Sequence, residues 1–271
     1  GKSRPDAATP TREPAHLRAD TIRIKAIHSE NRTELAELWT EGSVDLIQPP
    51  DETGNDGVVV QGDTLYLKRI ELKNHMEVTG KPAHVEMHGM KVDGAHVGVD
   101  QPTGVAWAEG KGTMTVLSDT SFEGAKLDAP SELTVAWGTN MFFNGKVAEF
   151  GGGVRAQQEA NTMQCGRLEV FLAERIDISA PKQQGHNNAK ISGLICTQAV
   201  QVDNSVRNNG QLEKYEHLEA EWVEFTNSDG RTKAKGPGVV RSYTHGQDGM
   251  LPVQANQPAA KPAANAPAEP I

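Results

Sequence analysis

Aromatic side chains are scarce in this sequence: four Trp, three Tyr and six Phe, only 5% of 271 residues. A carbohydrate-binding β-sandwich usually presents an exposed ring platform to sugars, and so small a stock argues against that class. Basic residues are in deficit too, 27 Lys and Arg against 36 Asp and Glu, for a net charge of −9. Without a positive footprint for a phosphate backbone, nucleic acid is disfavoured as a partner. No apolar run approaches the roughly 18 residues needed to cross a bilayer, so no transmembrane segment is expected. Residues 1–14 are polar and lack the apolar core of a signal peptide, which reads as a mature segment or a fragment. Two cysteines are too few to fix a redox compartment.

What the chain does contain is short alternating runs punctuated by glycine and asparagine: Thr21-Ile22-Arg23-Ile24, Leu65-Tyr66-Leu67, His96-Val97-Gly98-Val99, Trp222-Val223-Glu224-Phe225. An all-β protein is expected over residues 15–249, with a subdivision considered near 117–125; only residues 29–38 carry a brief helical period. Residues 1–14 and the Pro/Ala-rich residues 250–271 have little to bury and read as disordered tails.

Self-similarity is the strongest signal. Leu17, Ala19, Ile22, Ile24 align with Val92, Gly94, Val97, Val99, with Met163, Cys165, Leu168, Val170 and with Leu218, Ala220, Val223, Phe225. Val60, Gly62, Leu65, Leu67 add a fifth copy. Leu127, Ala129, Leu133, Val135 and Leu194, Cys196, Val200, Val202 match with one more residue in the middle. A glycine expected to open the next strand follows most copies: Gly42, Gly80, Gly110, Gly145 and Gly236. The copies beginning at Val92 and Leu218 correspond without a gap from Val92 to Gly112 and from Leu218 to Gly238. Residues two apart on a strand share a face, so each apolar pair points one way, but the small residue stands three before the next apolar one. A bulge or corner there restores burial for both halves, and a small residue suits the close backbone approach. Such units cannot bury an apolar face alone, so they must stack into an elongated scaffold.

The segments Val78-Thr79-Gly80-Lys81-Pro82-Ala83, Val92-Asp93-Gly94-Ala95-His96-Val97 and Ala108-Glu109-Gly110-Lys111-Gly112 resemble the OstA/LptA-like repeat of lipopolysaccharide transport proteins. The resemblance covers most of residues 17–243 in degenerate copies. It implies a β-jellyroll of folded-over antiparallel sheets, an apolar interior able to hold acyl chains, and edge-strand pairing with neighbouring β-jellyroll domains in a periplasmic bridge. The units here are longer, with insertions at 25–38 and 180–190, and tryptophans recur before the glycine (Trp39, Trp107).

Catalytic chemistry finds no foothold in the sequence. His84 and His88 lie about 13 Å apart on an extended strand and cannot chelate one metal as a local pair; with His96 they read as solvated strand-face residues. Cys165 and Cys196 occupy the small-residue slot and read as buried free thiols. Glu219, Glu221 and Glu224 fit an outward polar face, and Gly151-Gly152-Gly153 opens no helix and reads as a turn or bulge. Trp137, Phe142, Phe143 and Phe150 gather near one hairpin as core or groove wall. No cofactor or metal is expected.

The expected function is therefore non-enzymatic: a protein of the lipopolysaccharide-transport type, periplasmic or elsewhere in the cell envelope, whose partner is lipopolysaccharide or another envelope lipid. The residues expected to line its groove are Ile22, Ile24, Leu65, Leu67, Val97, Val99, Leu133, Val135, Leu168, Val170, Val223 and Phe225. The alternatives are a structural β-module pairing end to end without a ligand, and a carbohydrate-binding or carbohydrate-active β-domain.

Overall fold

The computed structural model describes residues 14–29, 32–50, 57–70, 73–87, 89–121, 126–178, 190–208, 211–227 and 230–244. Residues 1–13 and 250–271 of the expected tails, His88, and residues 180–189, 209–210 and 228–229 lie outside the described residues. The first eight strands are β1 (His16–Arg18), β2 (Thr21–Ser29), β3 (Arg32–Gln48), β4 (Val58–Ile70), β5 (Lys73–Met87), β6 (Met90–Asp100), β7 (Val105–Glu109) and β8 (Gly112–Thr120). The next four are β9 (Lys126–Trp137), β10 (Asn140–Phe143), β11 (Val147–Gln158) and β12 (Asn161–Leu172). The last four are β13 (Ile191–Asn208), β14 (Gln211–Thr226), β15 (Arg231–Lys235) and β16 (Val239–Thr244). All belong to one 16-stranded antiparallel sheet, and no helix occurs among the described residues.

The sheet is folded over along a line that crosses β3, β4, β5, β6, β11, β12, β13 and β14. Register shifts fall at residues 42–43 of β3, 62–63 of β4, 80–82 of β5, 152–153 of β11 and 198–199 of β13. At the same line the chain passes from β1 to β2, from β7 to β8, from β9 to β10 and from β15 to β16. Some strands that cross it change partner, while β4, β5, β12 and β13 keep theirs. β3 pairs with β2 before the line and β1 after it; β6 pairs with β8 and then β7; β14 pairs with β16 and then β15. Two antiparallel layers result, joined at the fold line, and β6, β7, β10, β11, β9 and β8 close into a ring of pairs. The layer holding β2, β7, β10 and β15 is termed the first, and that holding β1, β8, β9 and β16 the second.

The bulge explains the repeat's broken alternation. On β5 the buried positions run Met76, Val78, then Ala83, Val85, Met87. The extra residues at 80–82 reset the phase so that both halves face inward after the chain turns the corner. The same step separates Val92 and Gly94 from Val97 and Val99. Side chains of the two layers then meet in one core: Trp137 of the second layer lies 5.6 Å from Phe150 of the first, and Cys196 Sγ donates to Met163 Sδ at 3.0 Å. Each fully buried Val or Leu contributes about 1.5–3 kcal/mol.

Several expectations are corrected. Gly42, Gly80, Gly110 and Gly236 do not open strands; they sit on the fold line, while Gly145 belongs to the Asn144–Val147 turn, where the Asn144 side chain accepts from the Val147 amide at 2.9 Å. Residues 32–38 are strand, not helix. Leu35 and Leu38, three apart, both face the core because a register shift in the β2–β3 pairing leaves Ala36 without an opposite residue. Ala129 is exposed and remote from the fold line; in that copy the corner follows the apolar pair, at Gly138 and Thr139. The glycine triplet 151–153 is the bulge of β11.

Candidate functional site

The residues expected to line a groove divide by their distance from the fold line. In every pair the member nearer the line is the more buried: Val97 2% exposed against Val99 5%, Val135 3% against Leu133 8%, and Val223 0% against Phe225 4%. Leu65 and Leu168 are 1% and 2% exposed, whereas their distal partners Leu67 and Val170 are only partly buried. Other residues far from the line, including Leu46, Val58, Met90, Val116 and Phe143, are also partly buried against the core. Within these pairs burial is thus tightest beside the fold line and lessens toward the hairpin ends, where Met87 and Leu172 nevertheless stay buried. A pocket of about 290 Å³ lies at the hairpin end of β12, β13 and β14, lined in part by Phe171, Leu194 and Phe225.

Ile22 and Ile24 depart from the expected lining. They share the inward face of Leu38 and Thr40, with which they pair, yet they are 42% and 63% exposed. β2 is the last strand of the first layer, and every described side chain on it is exposed. β15 and β16 at the other end are exposed throughout, including Val240 and Tyr243. A stack of repeats leaves apolar faces bare wherever its end units are not covered.

The outward faces carry polar networks that alternation alone did not reveal. On the first layer, His75 stands 3.0 Å from Asp100 Oδ1 and 2.8 Å from Glu77 Oε1, and Glu77 also reaches His96 Nε2 at 3.2 Å. Of the histidines singled out in the sequence, His96 joins this network and His84 pairs with Asp93 at 2.8 Å. On the second layer, His217 is buried between Asp203 and Glu219, at 2.7 and 2.9 Å, with the Tyr215 hydroxyl donating to the same Asp203 oxygen. Burial pulls the His75 pKa down, but its bonds to Glu77 and Asp100 outweigh this and raise it above the ordinary 6.5. His217 is raised by Asp203 first and Glu219 second. Asp100 is depressed, chiefly by the Thr103 hydroxyl and then by His75. Burial works to raise Asp203, but His217 and Tyr215 outweigh it and lower the carboxyl.

Both histidines hold a proton more tightly when folded, so their stabilisation is complete below the ordinary imidazole value and fades as pH rises through their raised values. The two depressed carboxylates contribute above 3.8 and lose that contribution as pH falls through their folded values. The melting temperature is expected to fall as pH rises from about 6.5 through the raised values of these histidines, and His217→Gln to flatten that fall. Thermal melts across the range check this, and an unchanged slope in the variant would show that the His217 cluster carries none of it.

Cys165 and Cys196 are free and buried, at the fold line where their copies place a small residue. Their mutual hydrogen bond favours the Cys165 thiolate, while that bond and burial push the Cys196 thiol up. Among the described residues, no group of three His, Cys, Asp or Glu is arranged to hold a metal ion. Glu224 pairs with Lys233 at 2.9 Å. Comparison with protein-family models and with curated proteins finds no match to this chain.

Proposed function

We propose that this chain is a non-enzymatic envelope module that receives the acyl chains of lipopolysaccharide or a related lipid at the mouth of its folded sheet. The burial gradient from fold line to mouth carries this reading. Leu67, Val170, Met90 and Val116 offer aliphatic surface already partly exposed, and covering it with an acyl chain gains about 25 cal/mol per Å² without unpacking the core. The net charge of −9 keeps an anionic headgroup outside, touching scattered Lys and Arg or bridging cations. The resemblance to OstA/LptA-like repeats supports a periplasmic setting. The bare end strands β2 and β16 suit edge pairing with neighbouring β-jellyroll domains.

Titration of the purified chain with lipid A is expected to give a saturable signal that Val170→Glu weakens and Ile24→Glu leaves unchanged. Absence of saturable binding would overturn the lipid reading. A second reading, a structural module without a ligand, is favoured by the tight burial of Val99, Phe225 and Leu133, distal residues that remain sealed. End-to-end oligomers that form with concentration and take up no lipid would decide for it.

A further inference from the structure

We infer that the outward face of the first layer is a saccharide platform, independent of the apolar interior. One residue from each of six neighbouring strands falls in register across this face: Trp39, Tyr66, Glu77, Gly98, Trp107 and Phe142. At about 4.8 Å per strand the row is roughly 24 Å long. Trp39 and Tyr66 lie 5.5 Å apart at 32°, and His75 links them onward, 6.2 Å from Tyr66 and 6.0 Å from Trp107. Trp107 lies over Gly98, whose missing side chain makes room for the indole. That neighbour accounts for the pose of Trp107. It does not account for Trp39 and Phe142, which remain 38% and 37% exposed toward the two ends of the row.

The surroundings identify the chemistry of the occupant. A pyranose has an apolar C–H face that stacks on a flat ring and a rim of hydroxyls that needs acceptors and donors beside the ring. Here Glu77 sits within the row, with His75 and Asp100 on its mouth side and His96 and Glu109 on its fold-line side. Their mutual bonds at 2.8–3.4 Å hold these groups in fixed orientations, so little side-chain entropy is lost on binding. Three carboxylates among the rings, against Arg23 opposite Trp39 and Lys68 opposite His75, disfavour an anionic lipid surface and acidic sugars at the centre of the row. The row is also narrow and offers rings with no aliphatic knobs, unlike the broad patch of about 800 Å² a stable protein partner requires. The fitting ligand is an extended oligosaccharide of neutral or N-acetylated amino sugars lying across the strands, its length per sugar comparable with one strand spacing.

Tryptophan fluorescence and calorimetry with cellohexaose and N-acetylchitohexaose test the assignment. At least one is expected to bind saturably and more tightly than its dimer, since the platform spans several sugars. Trp39→Ala and Phe142→Ala are each expected to weaken binding about tenfold, because both rings lie on the outward face and each stacks one sugar. Their melting temperatures should stay near that of the parent, and if Trp39→Ala does not fold, Phe142→Ala alone carries the test. Val170→Glu, at the mouth, should leave sugar binding unchanged and so separates this site from the lipid site. No saturable binding of either hexasaccharide, or binding indifferent to both ring variants, would overturn the assignment, as would a row that engages vesicles or a protein instead.

Discussion

Phe150→Ala is expected to destabilise the fold by about 3–5 kcal/mol, the range for truncating a fully buried aromatic ring. Phe150 is 1% exposed and lies between Met141 on β10 and Leu168 on β12, with Trp137 of the opposite layer 5.6 Å away. Removing the ring therefore opens a cavity where the two layers meet. The surroundings cannot collapse into it, because Trp137 is tied by its indole N–H to the Gly110 carbonyl at 3.0 Å and covers Gly112. Phe142, eight residues away on the outward face, is expected to cost under about 1 kcal/mol when truncated in the same way. Urea unfolding midpoints at an unchanged slope measure both. Equal effects would mean that the layers do not pack on each other through Phe150.

Gly152→Ala is expected to cost more than about 3 kcal/mol, and Gly153→Ala only about 1–2 kcal/mol. The two glycines share a left-handed backbone, with φ of +80° and +84°, so an alanine is strained at either. They differ in what a Cβ meets. At Gly152 it would stand 2.6 Å from the Thr139 backbone nitrogen, across the fold line, whereas at Gly153 nothing lies within 4 Å. The difference between the variants isolates the close approach of two corner segments from the strain of the bend itself. If both lose the same stability, β11 and the 138–139 corner are not in contact.

The small-x-x-apolar spacing made the corner legible, because the number of extra residues at a bulge fixes which later positions face inward. Gly62, Gly94, Cys165 and Ala220 were thereby placed at the fold line, and the ungapped correspondence of Val92–Gly112 with Leu218–Gly238 survives as equivalent corners and turns. Their burial does not correspond: Ala108 is fully buried while Ala234 is exposed, because β15 has no neighbour beyond it among the described residues. Ile22 and Ile24 are misleading for the same reason. A side chain's place in a repeat is a local property, whereas its burial depends on whether another unit follows. The outward networks were harder to see. Trp39, Glu77 and Trp107 each stand three residues before a fold-line glycine, a spacing visible in the sequence, but His75 and Asp100 join them only through pairing between β5 and β6.

The proposed lipid entry rests on the gradient of exposure within the apolar pairs, which thiol labelling reads directly. Single cysteines placed at Leu67 and Val170 should react readily in the free chain and become protected by lipid A, while cysteines at Leu65 and Val223 should react in neither state. Labelling at Leu67 and Val170 that is indifferent to lipid A, or ready reaction at Val223, would contradict a sealed fold line with a lipid-receiving mouth.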